Sequence, residues 1–410
     1  MEQERDDEGK HRDVTLIVPP LLGEVAGPLD EVPPYRVSGL GSSFETAANA
    51  WLRSLLANDL SALTVRSYAY DLLRWGRFLL APTVDLEWDR ATQDDYVDFV
   101  LWVRQAPKRR TANKGKRKDR PAVNAITGKP YPADTLAATS INHSDSVLRK
   151  FYDYQMRRND HLLLNPIPLD GPERPNAHHN PLDPFTPGRR RGYRQQEAQR
   201  LPRALSGDQY DAVFEVLPHD RDRALLESFV STGARATEML GVEGHEVDYG
   251  EQQFLVTRKG TRAQQWLQAS PDAFAWLMKY QAQVGAARPG EPLWRTLRGP
   301  SRPLDYHAWV RVFDRANERL GTNWTTHDLR HTCALRLIDD EHLSLRDVQE
   351  ILGHSHITTT ERYLRVRPEE VIQRVREHQR RLREAPAPKP PAAGMGYSPD
   401  DFSTVFGGLS

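Results

Sequence analysis

The chain has almost no cysteine, no surplus of charge of either sign and no long apolar run, and each absence excludes a class of protein. Its single cysteine, Cys333, rules out an intramolecular disulfide and a cysteine-based zinc cluster, and points to a reducing, cytosolic setting. Cys333 itself follows His331 and Thr332 and reads as a small buried apolar residue. The 56 Lys and Arg residues are balanced by 56 Asp and Glu, so the whole chain lacks the basic excess that usually marks a nucleic-acid binder. Mean hydropathy is −0.67, and no apolar stretch is long enough to span a bilayer. Met1 to Glu8 are mostly charged and hold no signal-peptide core. The expectation is a soluble protein with no membrane partner.

What is present is a segmented pattern. At 410 residues the chain exceeds one ordinary core, which predicts two domains and connecting segments. Residues 1–40, rich in charge and then in Pro and Gly, read as a flexible N-terminal arm. A first domain is expected over 41–163. Phe44, Ala47, Ala48, Trp51, Leu52 and Leu55 recur at helical spacing after a possible Ser43 cap, and helical patterns follow from Thr64 to Leu80, Asp94 to Val103 and Ser140 to Met156. Four such helices predict a small all-α domain.

A basic insertion, 106–138, interrupts it. Lys108, Arg109, Arg110, Lys114, Lys116, Arg117, Lys118 and Arg120 are opposed there by Asp119 alone. Charges of one sign at this density repel, so the free loop should be extended and suited to phosphates. Residues 164–203 form a proline-rich linker that ends in Arg189, Arg190 and Arg191, a strap able to lie along a phosphate backbone.

A second domain is expected over 204–384. Ser206-Gly-Asp-Gln caps a helix, and an apolar helix is read from Arg221 to Leu240. Two β-type runs, Phe254–Thr257 and Gln265–Leu267, flank Lys259-Gly260 as a hairpin. Helical patterns resume over 305–320, 328–339, 344–352 and 368–384, giving a mainly α domain with a small sheet. Residues 385–410 open as a proline-rich linker and end with Phe402, Val405, Phe406 and Leu409 on one helical face.

The chemistry-bearing residues fall in four blocks of this second domain. Ser231-Thr232-Gly233-Ala234-Arg235-Ala236-Thr237-Glu238 sets Arg235 beside a glycine, and Lys259 follows on the hairpin 24 residues later. Thr326-His327-Asp328-Leu329-Arg330-His331-Thr332 puts His327 and Arg330 on one helix face. One is a proton carrier near neutral pH, the other a permanent planar cation suited to two phosphate oxygens. In Leu352-Gly353-His354, Gly353 reads as the residue ending a helix, and Tyr363 stands nine residues beyond His354. Each block alone has a bland alternative: surface decoration for the His–Arg pair, a solubilising lysine at a hairpin tip, a packing role for one tyrosine among 14.

Taken in order, T-G-x-R-x-x-E, K-G, H-D-L-R-H-T and L-G-H with a distant Tyr resemble the tyrosine recombinases of the phage integrase type. The resemblance covers about 205–384 and extends more loosely to 43–160, where Leu63-Thr64-Val65-Arg66-Ser67-Tyr68 is similar to the family's core-binding domain. It implies a SAM-like four-helix domain and a mixed catalytic domain closing as a clamp around double-stranded DNA, with Arg66 among the DNA contacts. It implies Tyr363 as a nucleophile forming a 3′-phosphotyrosyl link, Arg235 and Arg330 as clamps on the scissile phosphate, and Lys259 as the acid for the leaving 5′-oxygen. His327 and His354 would bond the phosphate and assist proton transfer at the tyrosine. It further implies no metal and no cofactor, a tetramer in synapsis with the tail docking in trans, and DNA-bending or directionality proteins as partners.

The task could be integration or excision, transposition of a mobile element, or resolution, in the cytoplasm at the nucleoid. A type IB topoisomerase-like or hairpin-forming enzyme is an alternative, and a non-cleaving architectural DNA-binding protein is another. The sequence departs from the family pattern at Arg258, which stands where the hairpin usually has a glycine. Gln264 and Gln265 occupy the place of a later basic residue. Glu238 matches the family's acid, with an orienting role towards an arginine. His331 and His356 read as structural residues or local DNA contacts.

Overall fold

The structure is a computed structural model that describes residues 12–27, 32–108, 121–159, 162, 164–167, 192–197, 202–354, 356–364 and 375–381. The chain divides into two compact units, residues 1–124 with 129–199, and residues 125–128 with 200–410.

The first unit is built on helices α1 (Ser42–Ala57), α2 (Ala62–Leu79), α3 (Gln93–Gln105) and α4 (Ala138–Met156). Their apolar faces meet around Trp51, Leu52, Trp75, Phe78, Phe99 and Phe151, all buried. Burying each such side chain contributes roughly 1.5–3 kcal/mol, enough together to fix the bundle. The polar atoms carried inside are satisfied: Trp75 Nε1 donates to Tyr152 Oη at 3.0 Å, and Tyr152 Oη donates to the Trp88 carbonyl at 2.7 Å. Ser61 caps α2, and Thr92 with Asp95 forms a capping box on α3. The expected Ser43 cap is not used. Gly41 stands at the α1 N-cap without a side-chain bond, and Ser43 Oγ accepts from Trp88 Nε1 instead.

Residues 1–40 were expected to be a flexible arm, and within the described part the structure differs. Strands β1 (Glu24–Ala26) and β2 (Arg36–Ser38) pair antiparallel, with Val25 opposite Val37. Ile17, Val37 and Leu40 are buried in the helical core, and Tyr35, beside them in the sequence, is also buried. The Asn49 side chain satisfies both the N–H and the C=O of Val37 at 2.9 Å, and Arg77 donates to the carbonyls of Leu22 and Gly23. A composition heavy in Pro, Gly and charge hides such packing, because its partners lie far along the chain.

The second unit runs α5 (Gly207–Val216), α6 (Asp220–Thr232), α7 (Ala236–Leu240), β3 (Val247–Asp248), β4 (Gln253–Thr257), β5 (Gln264–Gln268), α8 (Pro271–Val284), α9 (Tyr306–Leu320), α10 (Thr326–Ile338), α11 (Leu345–Leu352) and α12 (Ile357–Leu364). The strands form one antiparallel sheet in the order β3-β4-β5, with Phe254 opposite Leu267. Ser206 and Gln209 form the expected capping box on α5. The single helix read over 221–240 is two, because Gly233 adopts φ +62° and ends α6. Helix α8 was not anticipated, although Ser270 caps it and Pro271 opens its first turn, a standard start signal. Phe229, Phe254, Leu277, Trp294 and Trp309 centre the core. No helix among the described residues is long and apolar enough to cross a membrane.

The apolar tail positions Phe402, Val405, Phe406 and Leu409 lie outside the described residues, as do Arg109, Arg110, Lys114, Lys116, Arg117, Lys118, Arg120, Arg189, Arg190 and Arg191.

Candidate active site

Two helix ends and one hairpin supply the scaffold. Helix α6 stops at Gly233 and α11 stops at Gly353, both left-handed, with φ +62° and +64°. A left-handed residue closes a helix and turns its last carbonyls outward, and glycine does so without steric cost. Each end presents carbonyl oxygens where the positive side chains gather. Arg330, on the second turn of α10, donates from Nη1 to the Gly233 carbonyl at 2.7 Å and from Nη2 to the Leu352 carbonyl at 2.6 Å. Arg235, at the start of α7, donates from Nη2 to the Gly353 carbonyl at 3.4 Å. Helix C-termini carry partial negative charge, so these contacts favour the cations.

Glu238 ties the rest together. Its side chain is buried and accepts from Arg235 Nη1 at 2.7 Å, the Arg235 amide at 3.0 Å, Arg258 Nη1 at 3.0 Å and the Lys259 amide at 3.1 Å. Burial alone would raise this carboxyl. The hydrogen bonds from Arg235 and the Lys259 amide, together with the Arg235 charge, outweigh it and hold Glu238 below its ordinary value.

Arg258, the residue that departs from the family pattern, is buried and fully engaged. Its Nε donates to Gln265 Oε1 at 2.8 Å, and its Nη2 donates to the Ile351 carbonyl. Burial lowers its pKa and Glu238 opposes that fall. The turn itself closes through the Arg258 amide on the Ala263 carbonyl at 2.8 Å. Lys259 is exposed at the tip, with its backbone fixed to the same carboxylate that orients Arg235.

Tyr363 is brought up on α12 and is 5 % exposed, packed with Ala334, Leu335, Val348 and Leu352. Its hydroxyl is 2.8 Å from His331 Nδ1. The His331 ring lies 4.4 Å from that of His327, one turn earlier on α10, so the two histidines and the tyrosine form a contiguous group. On the other side the His354 ring runs within 7° of parallel to Tyr363 at 6.3 Å, and its Nδ1 is 2.9 Å from Thr360 Oγ1.

The electrostatics follow from crowding cations in a partly dry space. Burial, then the charge of Arg235, pushes Arg330 down to about 10, so it remains a cation at neutral pH. Burial, then Arg330, Arg235, Arg258 and His327, pushes His354 down to about 4, which keeps it neutral.

Of the residues singled out in the sequence, the structure gathers Arg235, His327, Arg330, His354 and Tyr363 around α10 and the ends of α6 and α11, with Lys259 on the adjoining hairpin. His356 is exposed and Cys333 is buried, with burial pushing its thiol up to about 12. Three residues had not been given their place. Thr360, wholly buried, fixes His354; Gln265 holds Arg258; and His331, read as structural or a local contact, bonds the tyrosine hydroxyl. The spacing of His331 four residues after His327 was a signal that the two share a face.

In the first unit, Arg66 is exposed and its guanidinium lies over the rings of Tyr35 at 5.6 Å and Tyr70 at 5.7 Å. Lys108 Nζ donates to the Ala133 carbonyl within the insertion. A polar cleft between α2 and α4 is lined by Ser67, Tyr70, Asp71, Arg74, Ser140 and His143. Its floor is the buried Asp71, which accepts from Arg74 Nη1 at 2.7 Å and Ser144 Oγ at 2.6 Å and faces His143 Nδ1 at 2.7 Å.

Comparison with known proteins gives matches for both units. Residues 203–370 match the phage integrase family, and residues 48–115 match the phage integrase N-terminal SAM-like domain. Tyrosine recombinase XerD of Lacticaseibacillus casei is 27% identical over 254 residues, covering 56% of this chain and 73% of the relative. Tyrosine recombinase XerC of Xylella fastidiosa is 31% identical over 236 residues, covering 56% of this chain and 70% of the relative. Among solved structures, a lambda integrase dimer bound to a COC′ core site aligns with a TM-score of 0.52 at 17% identity, covering 79% of this chain and 77% of that one. The XerH recombinase bound to a palindromic difH substrate, in a post-cleavage complex, aligns at 0.51 and 17%, covering 83% and 86%. At these identities the structural likeness is one of fold.

Proposed function

The chain belongs to the phage integrase family of tyrosine recombinases and is a site-specific DNA recombinase, and from that premise we propose that it cuts and rejoins DNA through Tyr363, with Arg235, Lys259, His327, Arg330 and His354 as the catalytic set.

A phosphodiester carries one negative charge, and its pentacoordinate transition state concentrates more on the equatorial oxygens. Cations held in place before the reaction stabilise that state more than the ground state. Arg235 and Arg330 each spend part of their five N–H donors on the scaffold, and the remainder serve the phosphate oxygens. Glu238 and the carbonyls of Gly233, Leu352 and Gly353 fix their forks, which is the preorganisation such catalysis needs.

His354 supports the reading in its neutral form. His354 Nδ1 is paired with Thr360 Oγ1, and in the tautomer where Thr360 donates, Nε2–H is the donor left for a phosphate oxygen. His327 adds a second imidazole. Tyr363 attacks phosphorus in line, the bond to the 5′-oxygen breaks, and Lys259 gives that oxygen a proton, a step worth on the order of a hundredfold or more. The phosphotyrosyl bond conserves the energy of the phosphodiester, and attack by a 5′-hydroxyl reverses the sequence. The carrying observation is the convergence of two oriented arginines, neutral His354 and Tyr363 in one unit.

Exchange between two duplexes involves four strands and therefore four such tyrosines, so the working form we assign is a tetramer on two DNA sites. Integration or excision, transposition of a mobile element, and resolution all use this chemistry, in the cytoplasm where the DNA lies. DNA-bending or directionality proteins would act on the flanking DNA. In the first unit, Arg66 is assigned to the DNA backbone, as are the basic positions 108–120 and 189–191.

The test is covalent capture. Wild type is mixed with a randomised pool of nicked duplexes in which cleavage releases a short strand and traps the enzyme. Wild type is expected to yield a denaturant-stable protein–DNA adduct, and Tyr363→Phe none. An adduct of equal yield from Tyr363→Phe, or none from wild type, would remove the reading.

A further inference from the structure

Cleavage by tyrosine leaves one proton unassigned. A phenol with pKa near 10 is mostly protonated at neutral pH, so its proton must leave as the oxygen attacks. The family resemblance hands that task to His327 and His354. The structure distributes the three histidines differently. His354 engages Thr360 through Nδ1, lies parallel to the Tyr363 ring at 6.3 Å, and is a weak base at about 4. His331 is the histidine bonded to the reacting oxygen, Nδ1 to Oη at 2.8 Å. We infer that His331 is a further catalytic residue, accepting the Tyr363 hydroxyl proton on Nδ1 as the tyrosine attacks the scissile phosphate.

The inference rests on Tyr363 being the nucleophile. The step balances: the O–H bond of Tyr363 breaks, a bond from Oη to phosphorus forms, the bond from phosphorus to the 5′-oxygen breaks, and Lys259 supplies that oxygen's proton. His331 ends as an imidazolium and returns its proton to Tyr363 when the incoming 5′-hydroxyl, losing its own proton to Lys259, rejoins the strand. A distance of 2.8 Å lies within the reach a general base requires.

The position of the ring supports the role. His331 sits on α10, whose cap is set by Thr325 and Asp328 and whose buried Arg330 is anchored to both helix ends. His331 is therefore carried by an element fixed elsewhere, and Tyr363 packs against Leu335 of that same helix. Among the groups facing His331 are the His327 ring at 4.4 Å and Tyr363 at 5.4 Å between centroids, with Arg330 its chain neighbour. The imidazolium formed in the step faces a phosphate that has gained negative charge, so the product of the transfer is compensated.

The experiment uses the full chain and the nicked duplex that wild type captures from the randomised pool, at saturating DNA and in single turnover. His331→Gln keeps a polar group beside the hydroxyl and cannot act as a base near neutral pH. It is expected to slow adduct formation by about a hundredfold and to lack the fall in rate on acidification that a histidine base predicts for wild type. His331→Ala is expected to regain rate with added imidazole. A second substrate carries sulfur in place of the bridging 5′-oxygen, a leaving group that needs no protonation. It should restore cleavage to Lys259→Ala and leave His331→Gln slow.

Rates for His331→Gln within about threefold of wild type, well short of a general-base effect, would overturn the inference. So would rescue of His331→Gln by the sulfur substrate. Both outcomes leave Tyr363 as the nucleophile, because the wild-type adduct tests that separately.

Discussion

His354 and Glu238 show how a single residue's titration reports on the site around it. In the folded protein His354 is held down to about 4, against an ordinary 6.5, by burial and then by the charges of Arg330, Arg235, Arg258 and His327. Between those values the unfolded chain binds a proton at this position and the folded chain does not. Stability therefore falls as pH drops from 6.5 towards 4, and above 6.5 the effect vanishes. Glu238 acts in the same direction over a lower range. Its pKa is depressed, so its stabilising effect is present above 4.5 and is lost as pH falls through its folded value. The interval from 6.5 to 4.5 thus belongs to His354 rather than Glu238. Replacing His354 with Gln removes the titration, and comparison with wild type cancels groups common to both. The melting temperature of wild type relative to His354→Gln should decline across that interval. A constant difference would mean that His354 is not held neutral by its neighbours.

At the scale of elements, the site depends on where two helices stop. Gly233 and Gly353 end α6 and α11, and their carbonyls receive Arg330 and Arg235. A Cβ at Gly233 would meet Leu352 Cδ2 at 2.6 Å and Cys333 Sγ at 3.0 Å, in a backbone conformation that side chains rarely adopt. Forcing the left-handed conformation costs about 1–2 kcal/mol and overpacking typically 1–3 kcal/mol. Gly233→Ala should therefore lose about 2–4 kcal/mol in urea unfolding, and cleavage should weaken as Arg330 loses its anchor. Wild-type stability would show that α10 and α11 yield more easily than their packing implies. The sequence made Gly353 legible as a helix stop, because it follows an apolar pattern and precedes a polar loop. It misplaced Gly233, because apolar periodicity continues on both sides and suggests one helix. The motif residues were legible because their types suit phosphate chemistry and their order resembles that of the family. Arg258 was not: it meets the Ile351 carbonyl 93 residues away, and Gln265 across the hairpin. The N-terminal strands were hidden for the same reason, their cover being supplied by α1 and α2.

Across the whole molecule, charge is balanced in sum and divided in place. Positions 108–120 hold eight basic residues and one acidic, a local excess of 8 − 1 = +7 in a chain whose formal net charge is zero. The remainder therefore carries −7, so attraction to DNA comes from a few stretches and not from the overall field. Phosphate contacts release condensed counterions, and each one lost lowers the slope of log affinity against log salt by about 0.9 on duplex DNA. Replacing the eight basic residues with Gln should weaken binding to unrelated duplexes and to the captured target by the same factor. It should also flatten the salt dependence of both. Cleavage at saturating DNA should be unchanged, because the proposed catalytic set belongs to the second unit and gathers its charge there. Equilibrium titrations on the two duplexes over a salt series measure both effects. Loss confined to the captured target, with an unaltered slope, would instead make the stretch a reader of bases.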